Sequence, residues 1–116
     1  MHGLKILNLS YTDIEVLPNS VSDLRNLRSL LLRYCRRLER VPSLAKLLAL
    51  QCLDLEDTAI KEVLEGMEML ENLVHLTIYS KMLIKFPAGI LPKLCNLYSL
   101  RLNWGSETSA RGSQID

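Results

Sequence analysis

The sequence predicts an α/β repeat solenoid, with a parallel β-sheet along one face backed by irregular, 3₁₀ or short helical segments. Three observations carry that reading. Leucines recur with a step of 23 residues, each recurrence opens with the same LxxLxL spacing, and prolines stand at matching places between the openings. A period of this length places every segment within a repeated unit before helices and strands are considered.

The first unit, 4–26, reads LKILNLSYTDIEVLPNSVSDLRN. The second, 27–49, reads LRSLLLRYCRRLERVPSLAKLLA, and the third, 50–72, LQCLDLEDTAIKEVLEGMEMLEN. The fourth, 73–96, is one residue longer, LVHLTIYSKMLIKFPAGILPKLCN, and a partial fifth, 97–105, opens LYSLRLNWG. In each opening the last two apolar residues are two apart: Leu7 and Leu9, Leu30 and Leu32, Leu53 and Leu55, Leu76 and Ile78, Leu100 and Leu102. On extended backbone such a pair points one way, which predicts five short parallel strands with one buried face.

Further apolar positions recur at Ile14, Leu38, Ile60 and Leu83, then at Leu17, Val41, Val63 and Phe86. Pro18, Pro42 and Pro87 follow directly, and their fixed φ and missing N–H keep the chain out of a helix there. A last pair three apart, such as Val21 with Leu24 or Met67 with Leu70, suits one helical turn before the next strand. No unit buries its own apolar edge, so each is stable only against its neighbours. Residues 1–105 are therefore expected to form one leucine-rich-repeat domain. The tail 106–116, SETSARGSQID, is small, polar and aperiodic and is expected to be disordered.

Composition narrows the function. A net charge of +1 over 116 residues opposes a nucleic-acid binder. No apolar run approaches the length of a membrane span, and MHGLKILNLS lacks the shape of a secretory signal. Cys35, Cys52 and Cys95 are odd in number and show no CxxC spacing. A reducing compartment, cytoplasmic or nuclear, is expected, and the acceptor triplet Asn8-Leu9-Ser10 is read as coincidental. None of the five glycines opens a GxxxxGK[ST] phosphate loop. His2 and His75 have no metal-binding spacing, and no GxSxG turn exists. The chain is expected to be no enzyme and to hold no metal or cofactor.

The combined pattern, LxxLxLxxTxIxxLPxxVxxLxNL, resembles the leucine-rich repeats of plant intracellular nucleotide-binding, leucine-rich-repeat (NLR) immune receptors. LNLSYTDIEVLPNSVSDLRNL, LDLEDTAIKEV and KFPAGILPKLCNLYSLRL carry the resemblance, over roughly residues 3 to 103. It looks nearest to receptors with a coiled-coil N-terminus. The resemblance implies a role in defence through protein binding, with a pathogen effector, a monitored host protein or the receptor's own nucleotide-binding domain as partner. ADP or ATP would be held only by such a domain in a parent protein. A stand-alone intracellular adaptor or scaffold, like the Ras-suppressor-like group that shares IxxLP, is the alternative.

Three departures matter. Leu64 stands where a proline is expected, and the second unit gains a residue before Leu38 and loses one after Pro42. The inward polar position, Thr12, Cys35 and Thr58, becomes Lys81 in the fourth unit. A buried lysine is costly, so Lys81 is expected to swing outward with Ser80 compensating.

Residues flanking the buried leucines should point outward and stack in columns about 4.8 Å apart. One column reads Asn8, Leu31, Asp54, Thr77, Arg101, and the next Ser10, Arg33, Glu56, Tyr79, Asn103. Tyr11, Tyr34, Asp57, Ser80 and Trp104 run beside them, with Ile6, Ser29, Cys52, His75 and Ser99 on the other flank. Tyr, Trp and Arg are common interface anchors. The candidate protein-binding residues are Arg33, Tyr34, Asp54, Glu56, Asp57, His75, Tyr79, Arg101 and Trp104. Charge is segregated along the chain: +4 over 1–49, −6 over 50–80 and +3 over 81–116. Arg33 and Glu56 share a column and could bridge, or the opposing charge blocks could steer a charged partner. Cys52 is expected to be the most accessible thiol. Neither end carries a polar cap, which predicts exposed apolar edges and marginal stability or self-association.

Overall fold

The computed structural model describes residues 3–61, 64–81, 90 and 93–104, and side chains as far as Arg101. Val63, Leu83, Phe86, Pro87 and the 106–116 tail lie outside the described residues.

Every LxxLxL opening forms a strand. β1 (Ile6–Asn8), β2 (Ser29–Leu31), β3 (Cys52–Thr58), β4 (His75–Ser80) and β5 (Ser99–Trp104) make one sheet in chain order. All four pairings are parallel. The register follows the period: Leu7 pairs with Leu30, Leu30 with Leu53, Leu53 with Leu76 and Leu76 with Leu100. Parallel neighbours require a crossover longer than a hairpin turn, and the rest of each unit supplies it.

The strand leucines form the core. Leu27, Leu30, Leu32, Leu50, Leu53, Leu55, Leu73 and Leu76 are wholly inaccessible. Burying one such side chain stabilises by about 1.5–3 kcal/mol relative to exposure. Leu4, Leu7 and Leu9 occupy the same places in the first unit but only pack partly against this core, because no described unit covers them.

Among the described residues, the first three crossovers are irregular, with single 3₁₀ turns at Asn19–Asp23 in the first and Met67–Met69 in the third. Pro18 precedes the first turn at φ −60°, ψ 147°, the extended geometry its ring permits. Val21, Met67 and Leu70 turn into the core as their spacing predicts. Leu64, in the place of a proline, is also buried. Val16 bridges Arg40, a separation of 24 rather than 23 residues, which absorbs the residue gained before Leu38. Gly66 adopts φ +84°, and a Cβ there would lie 2.4 Å from the Ala45 backbone nitrogen. Beside it, Leu44 N–H donates to Glu65 C=O at 2.8 Å, joining the second and third crossovers.

Candidate protein-interaction face

The outer face of the sheet is shaped by what happens where each strand ends. Tyr11, Tyr34 and Asp57, each 23 residues from the next, all adopt positive φ, at 67°, 60° and 58°. This left-handed geometry is uncommon outside glycine. It turns the chain so that the next residue, Thr12, Cys35 or Thr58, enters the interior. The inward groups then meet freed carbonyls: Thr12 Oγ1 donates to Leu9 C=O at 2.8 Å, and Cys35 Sγ reaches the same carbonyl at 3.0 Å.

The fourth unit solves the same problem differently. β4 runs extended to Ser80, which pairs with Thr58 across a register shift after Leu55. Ser80 is wholly buried and its Oγ donates to Ile60 C=O at 2.6 Å, while Lys81 is exposed. Lys81 thus swings out and Ser80 compensates, as its charge requires. The outward column containing Ser80 is corrected accordingly: that side chain points in. Thr58 Oγ1 is buried and has no hydrogen-bond partner among the described residues.

At the ends of the first three strands, one backbone amide is satisfied by a side chain in one of two ways. Ser10 N–H donates to Asn8 Oδ1 at 3.1 Å, and Glu56 N–H to Asp54 Oδ1 at 3.1 Å. Leu31 offers no acceptor, so Arg33 N–H reaches across to Ser10 Oγ at 3.1 Å. The turn therefore holds the Asp54 carboxylate in place. Its second oxygen lies 3.4 Å from Arg33 Nε.

That fixed carboxylate explains a corrected expectation. Arg33 pairs with Asp54 rather than with Glu56, and Glu56 pairs instead with Arg101 at 3.7 Å. Arg36 pairs with Asp57 at 3.0 Å. Each acidic group of the third unit's outer face is thus held by a different arginine, from the second unit or from β5. These are partly exposed contacts, worth about 0.2–1 kcal/mol each. Beside them, Tyr11 and Tyr34 stack with ring centroids 5.2 Å apart, and the guanidinium groups of Arg33 and Arg36 lie 5.6 and 5.8 Å from the Tyr34 ring.

Six of the nine candidate residues, Arg33, Tyr34, Asp54, Glu56, Asp57 and Arg101, join these contacts. His75 is exposed on β4 and meets the Tyr98 ring edge-on at 6.4 Å. Tyr79 is half-buried on β4. Trp104 ends β5, and its side chain lies outside the described residues. Two further aromatics stand on this side. Tyr11 is 75% exposed and Tyr98 83%. Tyr98 sits just before its strand, in the place of Lys5, Arg28, Gln51 and Val74, and an aromatic among those neighbours was the signal for it.

The thiols also differ from expectation. Cys52 is half-buried, and its pKa is raised by loss of solvation and then by the negative charge of Asp54. Cys95 is the exposed thiol. Among the described residues, no cluster of His, Cys, Asp and Glu could hold a metal, and no helix is long and apolar enough to cross a membrane.

No family model matches the chain. It is 40% identical over 99 residues to a disease resistance protein of Arabidopsis thaliana, an alignment covering 84% of this chain and 10% of that protein. A second such protein from the same plant is 36% identical over 88 residues, covering 75% of this chain and 7% of the relative. A third is 51% identical over 45 residues, or 39% of this chain and 5% of the relative. The chain is thus a region like those of plant disease resistance proteins, spanning about a tenth of the length of the first relative.

Proposed function

We propose that the chain is a leucine-rich-repeat segment, a short arc of solenoid, from an intracellular plant immune receptor of the NLR class, of the coiled-coil subgroup. Its outer sheet face is a protein-recognition surface and carries out no catalysis. The observation that carries this reading is the cross-strand cluster of Arg33, Tyr34, Asp54, Glu56 and Arg101 beside the exposed rings of Tyr11 and Tyr98. Aromatic and arginine side chains held by their neighbours on a rigid sheet lose little freedom when a partner docks. The 23-residue register, repeated from β1 to β3, supports the solenoid reading.

The partner is a pathogen effector, a monitored host protein or the parent receptor's own nucleotide-binding domain, and the names of the relatives support a role in defence. Any ADP or ATP is held by that domain and not by this chain. The setting is cytoplasmic, or nuclear.

Docking on the receptor's other domains can be tested in trans. The probe is the first Arabidopsis relative with its matched segment deleted, co-expressed with this chain. The wild-type chain should co-precipitate with it. Glu56→Lys places a cation against Arg101 and should abolish capture while leaving the far-UV circular dichroism unchanged. Undiminished capture by Glu56→Lys would remove the face from the docking surface.

A further inference from the structure

Three arginines stand over the three carboxylates of the third unit's outer face, in the same order each time. The carboxylates lie beneath: the side chains of Asp54, Asp57 and Glu56 are 19%, 24% and 18% exposed. Arg33, Arg36 and Arg101, which pair with them, lie outermost at 46%, 71% and 64%. A molecule arriving at this face therefore meets guanidinium groups first. Arg33 and Arg36 belong to the second unit, whose strand is flanked by β1 and β3, so their exposure owes nothing to a sheet margin. Both are also held in place. Each faces its carboxylate through Nε, at 3.4 and 3.0 Å, and lies 5.6 or 5.8 Å from the centroid of the Tyr34 ring. Tyr34 is anchored in turn by its N–H, which donates to Glu56 C=O at 2.6 Å.

A guanidinium group carries five N–H donors in a fixed fork. With Nε turned to the carboxylate, the terminal amino groups of Arg33 and Arg36 make no hydrogen bond among the described residues. The layer is thus rich in donors and yet electrically neutral, since each cation already has its anion. A full negative charge set on it would stand unbalanced beside Asp54 and Asp57. An uncharged acceptor takes up the donors and strands no ion.

We propose that the ridge of Arg33, Tyr34 and Arg36 receives the C-terminal end of a helix of the bound protein, whose last main-chain carbonyls accept from the two guanidinium groups. Those carbonyls have no partner within their own helix. They converge within one helical turn and together carry a charge of about −0.5, which suits guanidinium groups that are half neutralised. The Tyr34 ring and the carboxylates beneath keep both forks in position, so little side-chain freedom is lost on docking. The inference rests on the reading of this face as a recognition surface and specifies what that surface recognises.

The probe is an uncharged alanine–glutamine peptide of about 15 residues, ending in a carboxamide and stapled because so short a helix is marginal alone. Titrated to millimolar concentration into the full chain with isotope-labelled arginine, it should shift the guanidinium signals of Arg33 and Arg36. A nitroxide at the probe's C-terminal residue should broaden those signals, and one at its N-terminal residue should not. Arg33→Lys with Arg36→Lys keeps both charges but loses the forks, and should weaken binding at least about ten-fold with an unchanged far-UV spectrum. A probe ending in three aspartates should bind no more tightly. No binding in the millimolar range overturns the proposal, and so does docking by the N-terminal end. Tighter binding of the aspartate probe overturns it in favour of an acidic partner. In co-precipitation with the truncated Arabidopsis relative, the double lysine variant should also lose capture. Capture that Glu56→Lys abolishes but the double lysine variant retains overturns helix-end recognition while leaving the face as the docking surface.

Discussion

Gly66→Ala tests how the second and third units are held together behind the sheet. The position adopts φ +84°, and a methyl group there would lie 2.4 Å from Ala45 N, 2.9 Å from its Cα and 3.0 Å from its Cβ. Left-handed backbone costs a non-glycine residue about 1–2 kcal/mol. Two of the three overlaps are with main chain, so relief requires the crossovers to separate, and overpacking of this kind costs about 1–3 kcal/mol. Separation also loosens the Leu44–Glu65 hydrogen bond, worth about 0.5–1.5 kcal/mol net. Alanine restricts the unfolded chain and returns about 0.4–1 kcal/mol. The expected net loss is about 3 kcal/mol, a large share of the total stability of a domain this size. Urea denaturation should show a lower midpoint at unchanged slope. Gly3→Ala is the control, since nothing lies within 4 Å of its Cβ position, and it should stay within about 0.5 kcal/mol of wild type. A Gly66→Ala variant as stable as the Gly3→Ala control would refute the reasoning.

Thr58→Val should raise stability by about 1 kcal/mol, because it removes a buried hydroxyl with no hydrogen-bond partner among the described residues. Thr12→Val should lower it by a similar amount by deleting the bond to Leu9 C=O. Thermal melts giving both changes the same sign would sink this account of the inward positions. For the thiols, Ellman's reagent near neutral pH should modify Cys95 much faster than Cys52, and equal rates would contradict the raised pKa of Cys52. Because folding raises that pKa, its stabilising contribution is present below the ordinary thiol range. It is lost as pH rises through the folded value, so unfolding free energy should decline with alkalinity, and Cys52→Ser should flatten that decline.

The strands were legible because their signal is redundant: five openings share one spacing, and the second, third and fourth each bury the same two positions. The exchange of Lys81 for Ser80 was legible too, since a buried ammonium group is so costly that only one outcome is stable. The left-handed turns were hidden. Tyr11 and Tyr34 carry no glycine or asparagine to mark them, and neighbouring units impose the geometry. The ion pairs were hidden for another reason. Arg33 can reach Asp54 or Glu56 for energies that differ little, and the choice follows from a turn that fixes Asp54 first. Gly66 looked like an ordinary turn residue because its reason for being glycine lies about 20 residues earlier, at Ala45.

The arginine–carboxylate pairs on the outer face bear on how the proposed recognition surface would discriminate among partners. Asp54, Glu56 and Asp57 form a dense negative block in the sequence, yet each is met by an arginine, so the block projects little field into solvent. A charged group arriving there gains by exchange, displacing one guanidinium or carboxylate and taking its place. The free energies given up and recovered nearly cancel, so misplacement by one column leaves two stranded charges and carries a net penalty. Such a face rejects poor fits more strongly than it rewards good ones, and arrival at it should depend only weakly on ionic strength.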